Sequence, residues 1–350
     1  MNSIQLPFDQ YQRYRVVTDA IEAVRDGKKP LKVLDVGGSP GLLLDFLPKD
    51  DIYILDYVCS PAGRFIRGSG AALPFRDEAF DIAISVDVLE HVAPEVREAF
   101  IVELKRVSRG YVFLAAPFKT GAVLEAERIL FDVIKAAKGE EHTFLQEHLE
   151  HGLPEEAAVR EALEAGGWQT MSVPNGALKR WLPMMALSIY VTGDKFLTEL
   201  AGRINSFYNS NYYENDNMEP AYRHLLASCR GGFKSESIQK IEGLARGSGQ
   251  EKDLDLSWLS LLLSLIGHNE MKKTMDSERE EFQNVLEERD RHIRSLKNTV
   301  DKKDRRIERQ KKTIEGSQGV IDELNKRLDS LESSNGVKAL KGMGIIKKPR

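Results

Sequence analysis

Residues 31–41 read LKVLDVGGSPG, a compact apolar run ending at Val36 and then a turn of glycine, serine and proline. An apolar run of this kind, without polar alternation, predicts a strand buried on both faces. Glycines after it let the backbone turn tightly and approach a ligand, and a helix beginning near Gly41 would offer free N–H groups. The pattern recurs outward along the chain. Ile52–Leu55, Asp81–Val86 (DIAISV) and Tyr111–Ala115 (YVFLA) are further short runs rich in β-branched and aromatic residues. Apolar residues at three- and four-residue steps predict helices over Tyr11–Arg25, Gly41–Leu47 and Pro94–Val107. Strands alternating with helices predict a parallel sheet covered on both faces.

Another unit follows. Pro154–Ala165 opens on Pro-Glu-Glu, a good first helical turn, and stops at Gly166-Gly167; Trp168–Val173 then reads as a strand. From Asn175 to Pro220 the pattern changes to helices and a polar loop that ends NSFYNSNYYENDNMEP. Tyr222–Ser228 reads as one more strand, which makes residues 175–220 a helical insertion between the last two strands, at the active edge. The expected fold class is α/β: a Rossmann-like, doubly wound, mostly parallel sheet over residues 1–230 with helices on both faces and a helical insertion before the last strand.

Residues 231–269 read as a helical spacer and 270–333 as a coiled coil. Leu286, Ile293, Val300, Ile307, Ile314, Ile321 and Leu328 hold position a of one heptad register. Met275, Phe282, Leu296, Leu324 and Leu331 fall at d. Such a seam supercoils with a partner, and β-branched residues at a favour two strands. Lys303, Gln310 and Ser317 make the central d positions polar, and Gly316 and Gly319 predict an interruption there. The expected assembly is a homo-oligomer through this segment. Residues 334–350 form a basic tail (Lys338, Lys341, Lys347, Lys348, Arg350), suited to peripheral contact with the anionic inner face of a membrane.

The bulk numbers bound the function. Hydrophobic residues are 41% and charged residues 30%, which suits a chain with a sizeable core, and a formal net charge of -4 gives no pull toward nucleic acid. The two cysteines, Cys59 and Cys229, lie far apart and outside any metal-ligand spacing, which predicts a reducing, cytoplasmic setting. The N-terminus has no apolar core after a basic start, and no signal peptide is expected. The apolar stretches Trp181–Val191 and Trp258–Ile266 are too short to cross a bilayer and read as buried or interfacial helices.

The glycine turn by itself fits two cofactor classes. The nicotinamide fingerprint G-x-G-x-x-G needs glycine where this chain has Ser39 and Leu42, so it fits poorly. Asp56 ends the next strand, about twenty residues on, where an acid accepts the hydroxyls of a ribose in either class. The following motifs separate them. LPF (Leu73–Phe75), FD (Phe80-Asp81) and VLEH (Val88–His91) stand in order after GSGAA (Gly68–Ala72). Residues 35–117 thereby resemble, without a gap, the class I S-adenosylmethionine-dependent methyltransferases.

The resemblance implies a role for single residues. Asp35, Gly37 and Gly41, with Gly38 and Ser39 between them, would bracket the methionine part of S-adenosylmethionine. Asp56 would bind its ribose. Ser69 stands where the family has an acid for the adenine amino group, which leaves adenine to Gly70 and the backbone. Asp87, at the end of the fourth strand, would lie beside the methyl group. Leu73, Pro74 and Phe75 are expected to be packing and turn.

Methyl transfer asks mainly for positioning, with a base where the acceptor is a hydroxyl. His91 is one candidate. Glu147 and His148, in EHTFLQEHLEHGLP, are two more, with His151 in the same cluster. The cluster is also similar to a set of metal ligands, but the expected third and fourth ligands are missing, so no metal is expected. The runs LQEHLEHGLP, VPNGALKRWL and YRHLL are similar to methyltransferases fused to or encoded with bacterial glycosyltransferases, which implies a sugar or surface-polysaccharide hydroxyl as acceptor. Two rival readings remain: a small apolar acceptor, quinone or lipid, with Trp181–Val191 lining its entry, and a non-catalytic scaffold that acts through the coiled coil.

Overall fold

A computed structural model describes residues 3–58, 64–138, 143–191, 198–246 and 256–344. Cys59 and the tail residues Lys347, Lys348 and Arg350 lie outside them. The chain divides into two compact units, residues 1–255 and 256–350.

The first unit is built on a seven-stranded sheet. Its strands are β1 (Lys32–Val36), β2 (Asp51–Asp56), β3 (Arg64–Arg67), β4 (Phe80–Val86), β5 (Ser108–Pro117), β6 (Trp168–Ala177) and β7 (Ala221–Arg230). The order across the sheet is β3-β2-β1-β4-β5-β7-β6. The pairs from β3 to β5 are parallel, and β7 enters antiparallel between β5 and β6. The doubly wound, mostly parallel sheet expected from the apolar runs is the one present. Strand β3, RFIR, has half-exposed and exposed residues only, so it carries no apolar run to announce it.

Helices follow in the order α1 (Phe8–Val24), α2 (Leu43–Phe46), α3 (Arg97–Val107), α4 (Gly121–Lys138), α5 (Thr143–His151), α6 (Glu156–Glu164), α7 (Leu178–Val191), α8 (Thr198–Asn211) and α9 (Ser235–Arg246). Side chains on successive strand positions point to opposite faces. Val33, Ile82, Ile84, Phe113 and Ala115 accordingly join one core with Val17 and Ile21 of α1 and Ile241 of α9. Leu34, Ala83, Val112 and Leu114 join the other with Phe100 and Leu104 of α3 and Leu163 of α6. At about 25 cal/mol per Å² of apolar surface buried, these two layers are the main stabilising term of the unit.

Two local expectations change. The helix read over residues 41–47 is a single turn, α2, because Gly41 is in the left-handed region (φ 99°) and cannot start it. Pro94–Val107 divides into a short 3-10 turn, Pro94–Val96, and α3.

The insertion between β6 and β7 carries α7 and α8, and a buried carboxylate anchors it. Asp216, fully buried, accepts hydrogen bonds from Gln12 of α1, Tyr208 of α8 and Arg180 of α7. Asn209 donates to the carbonyls of Ile4 and Leu6 at 2.9 and 3.0 Å, which ties α8 to the N-terminal segment.

The second unit holds α10 (Leu256–Ser333) and α11 (Asn335–Gly342). Helix α10 runs unbroken through Gly316 and Gly319, where the sequence predicted an interruption, since two isolated glycines cost only about 1 kcal/mol each in a helix this long. Its heptad residues, from Met275 through Leu331, are exposed in the single chain. Among the described residues no helix is long and apolar enough to cross a membrane.

Candidate functional site

The carboxyl ends of β1, β2 and β4 open into two adjoining cavities. The larger measures about 760 Å³ and the smaller about 300 Å³, and Gly37, Asp56, Tyr57, Val88 and His91 line both.

The turn after β1 forms one wall. Gly37 has φ 81°, and a Cβ there would stand 2.2 Å from Val88 Cγ2; a Cβ on Gly38 would stand 2.3 Å from the Asp35 carboxyl. Only glycine lets this backbone cross the end of β4 and cover Asp35. The Gly37 N–H donates to the Leu55 carbonyl at 2.7 Å and the Gly41 N–H to the Gly38 carbonyl at 2.7 Å, which fixes the loop between β1 and β2. Asp56 accepts the N–H groups of Ser39 and Val58, each at 3.0 Å. Asp35 is fully buried, and neither of its oxygens has a protein partner among the described residues. Burial first, and then the nearby Asp56 carboxylate, push Asp35 up to about 7.

The smaller cavity runs past this wall between Leu55, Ala71, Val92 and Phe100, with Ser69 and Gly70 at its side. Ser69 accepts the Ala71 N–H at 3.3 Å. Leu73, read as packing, is buried, and its N–H donates to Glu103 at 2.7 Å. The sequence-derived residues Asp35, Gly37, Gly38, Ser39, Gly41, Asp56, Ser69 and Gly70 thus fall together along one edge of the sheet.

The opposite wall of the larger cavity is held by charge. Asp87 has φ 52°, a left-handed conformation that turns its side chain back toward α1 and β7. Its carboxylate accepts Arg13 of α1 at 2.9 Å and Arg223 of β7 at 3.0 Å. Arg223 also donates to Asp9 at 2.6 Å, and the Trp181 indole donates to Asp9 at 2.8 Å. Burial alone would lower the Arg223 guanidinium, but Asp87 and Asp9 outweigh it and hold the cation. Arg13, Arg223 and Asp9 were not among the residues singled out from sequence. The available signal was a charged residue, Arg223, inside the otherwise apolar strand YRHLLAS.

Helix α5 packs on the 3-10 turn Leu89–His91 and brings the two histidine segments together. The His91 and His148 rings are 4.8 Å apart between centroids. Nδ1 of His91 lies 2.8 Å from Glu147, and Nδ1 of His148 lies 2.8 Å from Glu127 of α4, which also accepts the Tyr222 hydroxyl at 3.0 Å. Burial, then the neighbouring His148, hold His91 below its ordinary value. His91, Glu147 and His148 are thus adjacent. His151 is not part of the group; its carbonyl faces Arg97. Glu90 is buried beside them, and burial and then Asp87 raise it well above the usual carboxylate range. Leu130, Ile134, Met185 and Ile189 line the rest of this wall.

Residues 34–114 match the family model described as a methyltransferase domain, the class named by the LPF, FD and VLEH resemblance. The chain is 33% identical over 100 residues to an uncharacterized methyltransferase of Mycolicibacterium vanbaalenii, covering 25% of this chain and 38% of that protein. It is 37% identical over 92 residues to another from Mycolicibacterium gilvum, covering 23% and 35%. The chain therefore spans little more than a third of the curated relatives it matches. Among solved structures it is similar to a magnesium protoporphyrin IX methyltransferase from Synechocystis PCC 6803 with bound SAH (TM-score 0.37, 17% identity, 62% of this chain and 83% of that one). It is also similar to a [4+2]-cyclase (TM-score 0.40, 14% identity, 63% and 82%). Likenesses at this level carry no argument about function.

Proposed function

We propose that the chain is an S-adenosylmethionine-dependent methyltransferase acting on an acceptor hydroxyl. The observation that carries the reading is the juxtaposition across one cavity of a nucleoside-type wall and a paired-histidine wall. On the first, Gly37 and Ser39 would pass the methionine part, Asp35 would face its cationic groups, and Asp56 would take the ribose hydroxyls. Adenine would enter the smaller cavity beside Ser69 and Gly70. The cofactor site would thus be largely preformed.

The methyl group would then point past Asp87 into the larger cavity. When bound, the cofactor would supply an electrophilic methyl group to the acceptor oxygen, with the carbon–sulfur bond breaking, its electron pair staying on sulfur and S-adenosylhomocysteine as the product. The acceptor proton leaves toward the group formed by His91, His148 and Glu147. Holding acceptor and methyl in line in a site closed by α4, α5 and α7 supplies most of the acceleration. A base placed at the hydroxyl adds about 10²–10⁴-fold.

A sugar or glycan hydroxyl is the acceptor suggested by the resemblance of the 145–226 segments to methyltransferases associated with glycosyltransferases. One observation favours the second reading, a quinone or lipid acceptor: Leu130, Ile134, Met185 and Ile189 give the acceptor wall an apolar half. The exposed heptad residues of α10 support pairing with a second copy of the chain. Calorimetric titration with S-adenosylmethionine, and separately with NAD, tests the cofactor assignment. Binding of the first alone is expected; binding of neither would leave a coiled-coil scaffold as the better account. Transfer of labelled methyl to a panel of sugar and quinone acceptors then separates the two readings.

A further inference from the structure

We propose that Glu90, His91 and His148 hold a divalent transition-metal ion, zinc by their donor set, in the acceptor half of the cavity. One ligand atom from each lies within 4.8 Å of the others. An ion about 2.1 Å from tetrahedral donors sets them about 3.4 Å apart, so side-chain shifts of about an ångström close the set.

Three independent features point to an ion. First, Glu90 Oε2 and His148 Nε2 are buried with no protein partner among the described residues. Glu90 is 1% and His148 7% exposed. Leaving two buried polar atoms unpaired is costly unless something binds them. Second, His148 Nδ1 is hydrogen-bonded to Glu127 at 2.8 Å, and the Glu147 carboxylate lies 2.8 Å from His91 Nδ1. A carboxylate at one ring nitrogen fixes the tautomer, aims the other nitrogen outward and raises its basicity, the usual support of a metal-bound histidine. Tyr222 steadies Glu127 in turn. Third, Asp87 is neutralised by Arg13 and Arg223, whereas Glu127 and Glu147 face histidines, and no lysine or arginine among the described residues lies within ion-pair distance of either.

Two histidines and one glutamate leave a coordination position open, the arrangement of catalytic zinc sites. The expectation of no metal came from spacing inside one segment; the packing of α5 supplies ligands from two. What the ion does rests on the methyl-transfer reading, but its binding does not. With an ion bound, the histidines are ligands rather than bases. The ion would acidify an acceptor hydroxyl, and Glu147, the most exposed member of the group, would be placed to take the proton.

The test is metal binding by the full chain, stripped with chelator and dialysed. Zn²⁺ retained after desalting is counted by atomic emission, and Co²⁺ is read by its visible absorption. One ion per chain is expected, with a His/carboxylate Co²⁺ spectrum. His148→Ala, His91→Ala and Glu90→Gln should each abolish the spectrum. Glu127→Gln should weaken binding about 10- to 100-fold, and His151→Ala should leave it unchanged. Less than stoichiometric Zn²⁺ on the unaltered chain would overturn the proposal whether or not the variants fold. So would a Co²⁺ spectrum that survives in folded His148→Ala. S-adenosylmethionine titration on the same samples separates the two ideas. Metal binding without cofactor binding would retain the site and remove the methyl-transfer reading; cofactor binding without metal would do the reverse.

Discussion

The two walls of the larger cavity are built from different materials. On the β1–β2 side the backbone does most of the work: Gly37, Gly38 and Ser39 place main-chain groups, and Asp56 is set by two N–H donors. On the β7 side the work is done by side chains from distant segments. Arg223 joins Asp9 of α1 and Asp87 after β4, and His148 of α5 meets His91. A backbone wall is set by turn geometry and fails when a glycine is replaced. A charge-held wall tolerates backbone change and fails when a partner or a proton is removed.

The largest effect should come from Arg223→Met. It leaves two largely buried carboxylates, Asp9 and Asp87, with Arg13 as their one remaining cation among the described residues, and breaking a buried pair costs about 3–5 kcal/mol. The urea midpoint should fall accordingly. A loss under about 1 kcal/mol, within the range of exposed ion pairs, would show that the network is solvated and the contrast between the walls is false.

On the backbone wall Asp35 makes the one strong pH prediction. Its carboxyl is raised to about 7 in the folded chain against an ordinary value of 3.8, so the folded state holds the proton longer. Stability from this group is therefore lost as pH rises from about 4 to 7, by at most on the order of 4 kcal/mol. Asp35→Asn should flatten that part of the stability profile. If the cationic groups of S-adenosylmethionine dock beside Asp35, binding below pH 7 must expel its proton. Calorimetry at about pH 6 in buffers of different ionisation enthalpy should then show proton release that disappears in the asparagine variant. Binding without proton release would place the cofactor's positive charge elsewhere.

The same contrast explains what could be read before the fold was known. Strands β1, β2, β4 and β5 and the turn residues Asp35 to Gly41 are local signals: a buried parallel strand must be apolar, and a sharp turn must have glycine. The charge-held wall is non-local. Asp9 and Arg223 are 214 positions apart, and nothing in either neighbourhood requires the other. Glu127 lies in α4, a helix that the sequence reading passed over, and Glu90 stood unnoticed inside VLEH because the motif was matched as a whole. His91, His148 and Glu147 were named from residue type and from their places after the fourth and fifth strands; their meeting depends on how α5 packs. The heptads of α10 were legible for the same reason as β1, since a seven-residue repeat is written along a single segment.

Asp56→Ala probes the backbone wall at a half-buried carboxylate. Removing a partner of the ribose hydroxyls should weaken S-adenosylmethionine by about 1–3 kcal/mol, roughly 5- to 150-fold, with little change in stability. Unchanged affinity would count against the cofactor assignment itself.

The smallest effect tests whether the charge-held wall extends to its outer rim. His224 follows Arg223 on β7 and bridges Glu156 of α6 and Glu219 of the loop before the strand. Burial alone would lower His224, but Glu156 and then Glu219 raise it, and Glu156 is drawn down to about 2 in return. A histidine raised in the folded state stabilises fully below its unfolded value near 6.5 and loses that contribution as pH climbs through the folded value. Glu219 is more than half exposed, so solvent screening limits the bridge to about 0.5–1 kcal/mol. His224→Gln should therefore lower the thermal midpoint at pH 6 by a few degrees and leave it nearly unchanged at about pH 9. An equal loss at both values would mean that His224 acts through its packing on Phe118 and not through its charge, and that the electrostatic wall stops at Arg223.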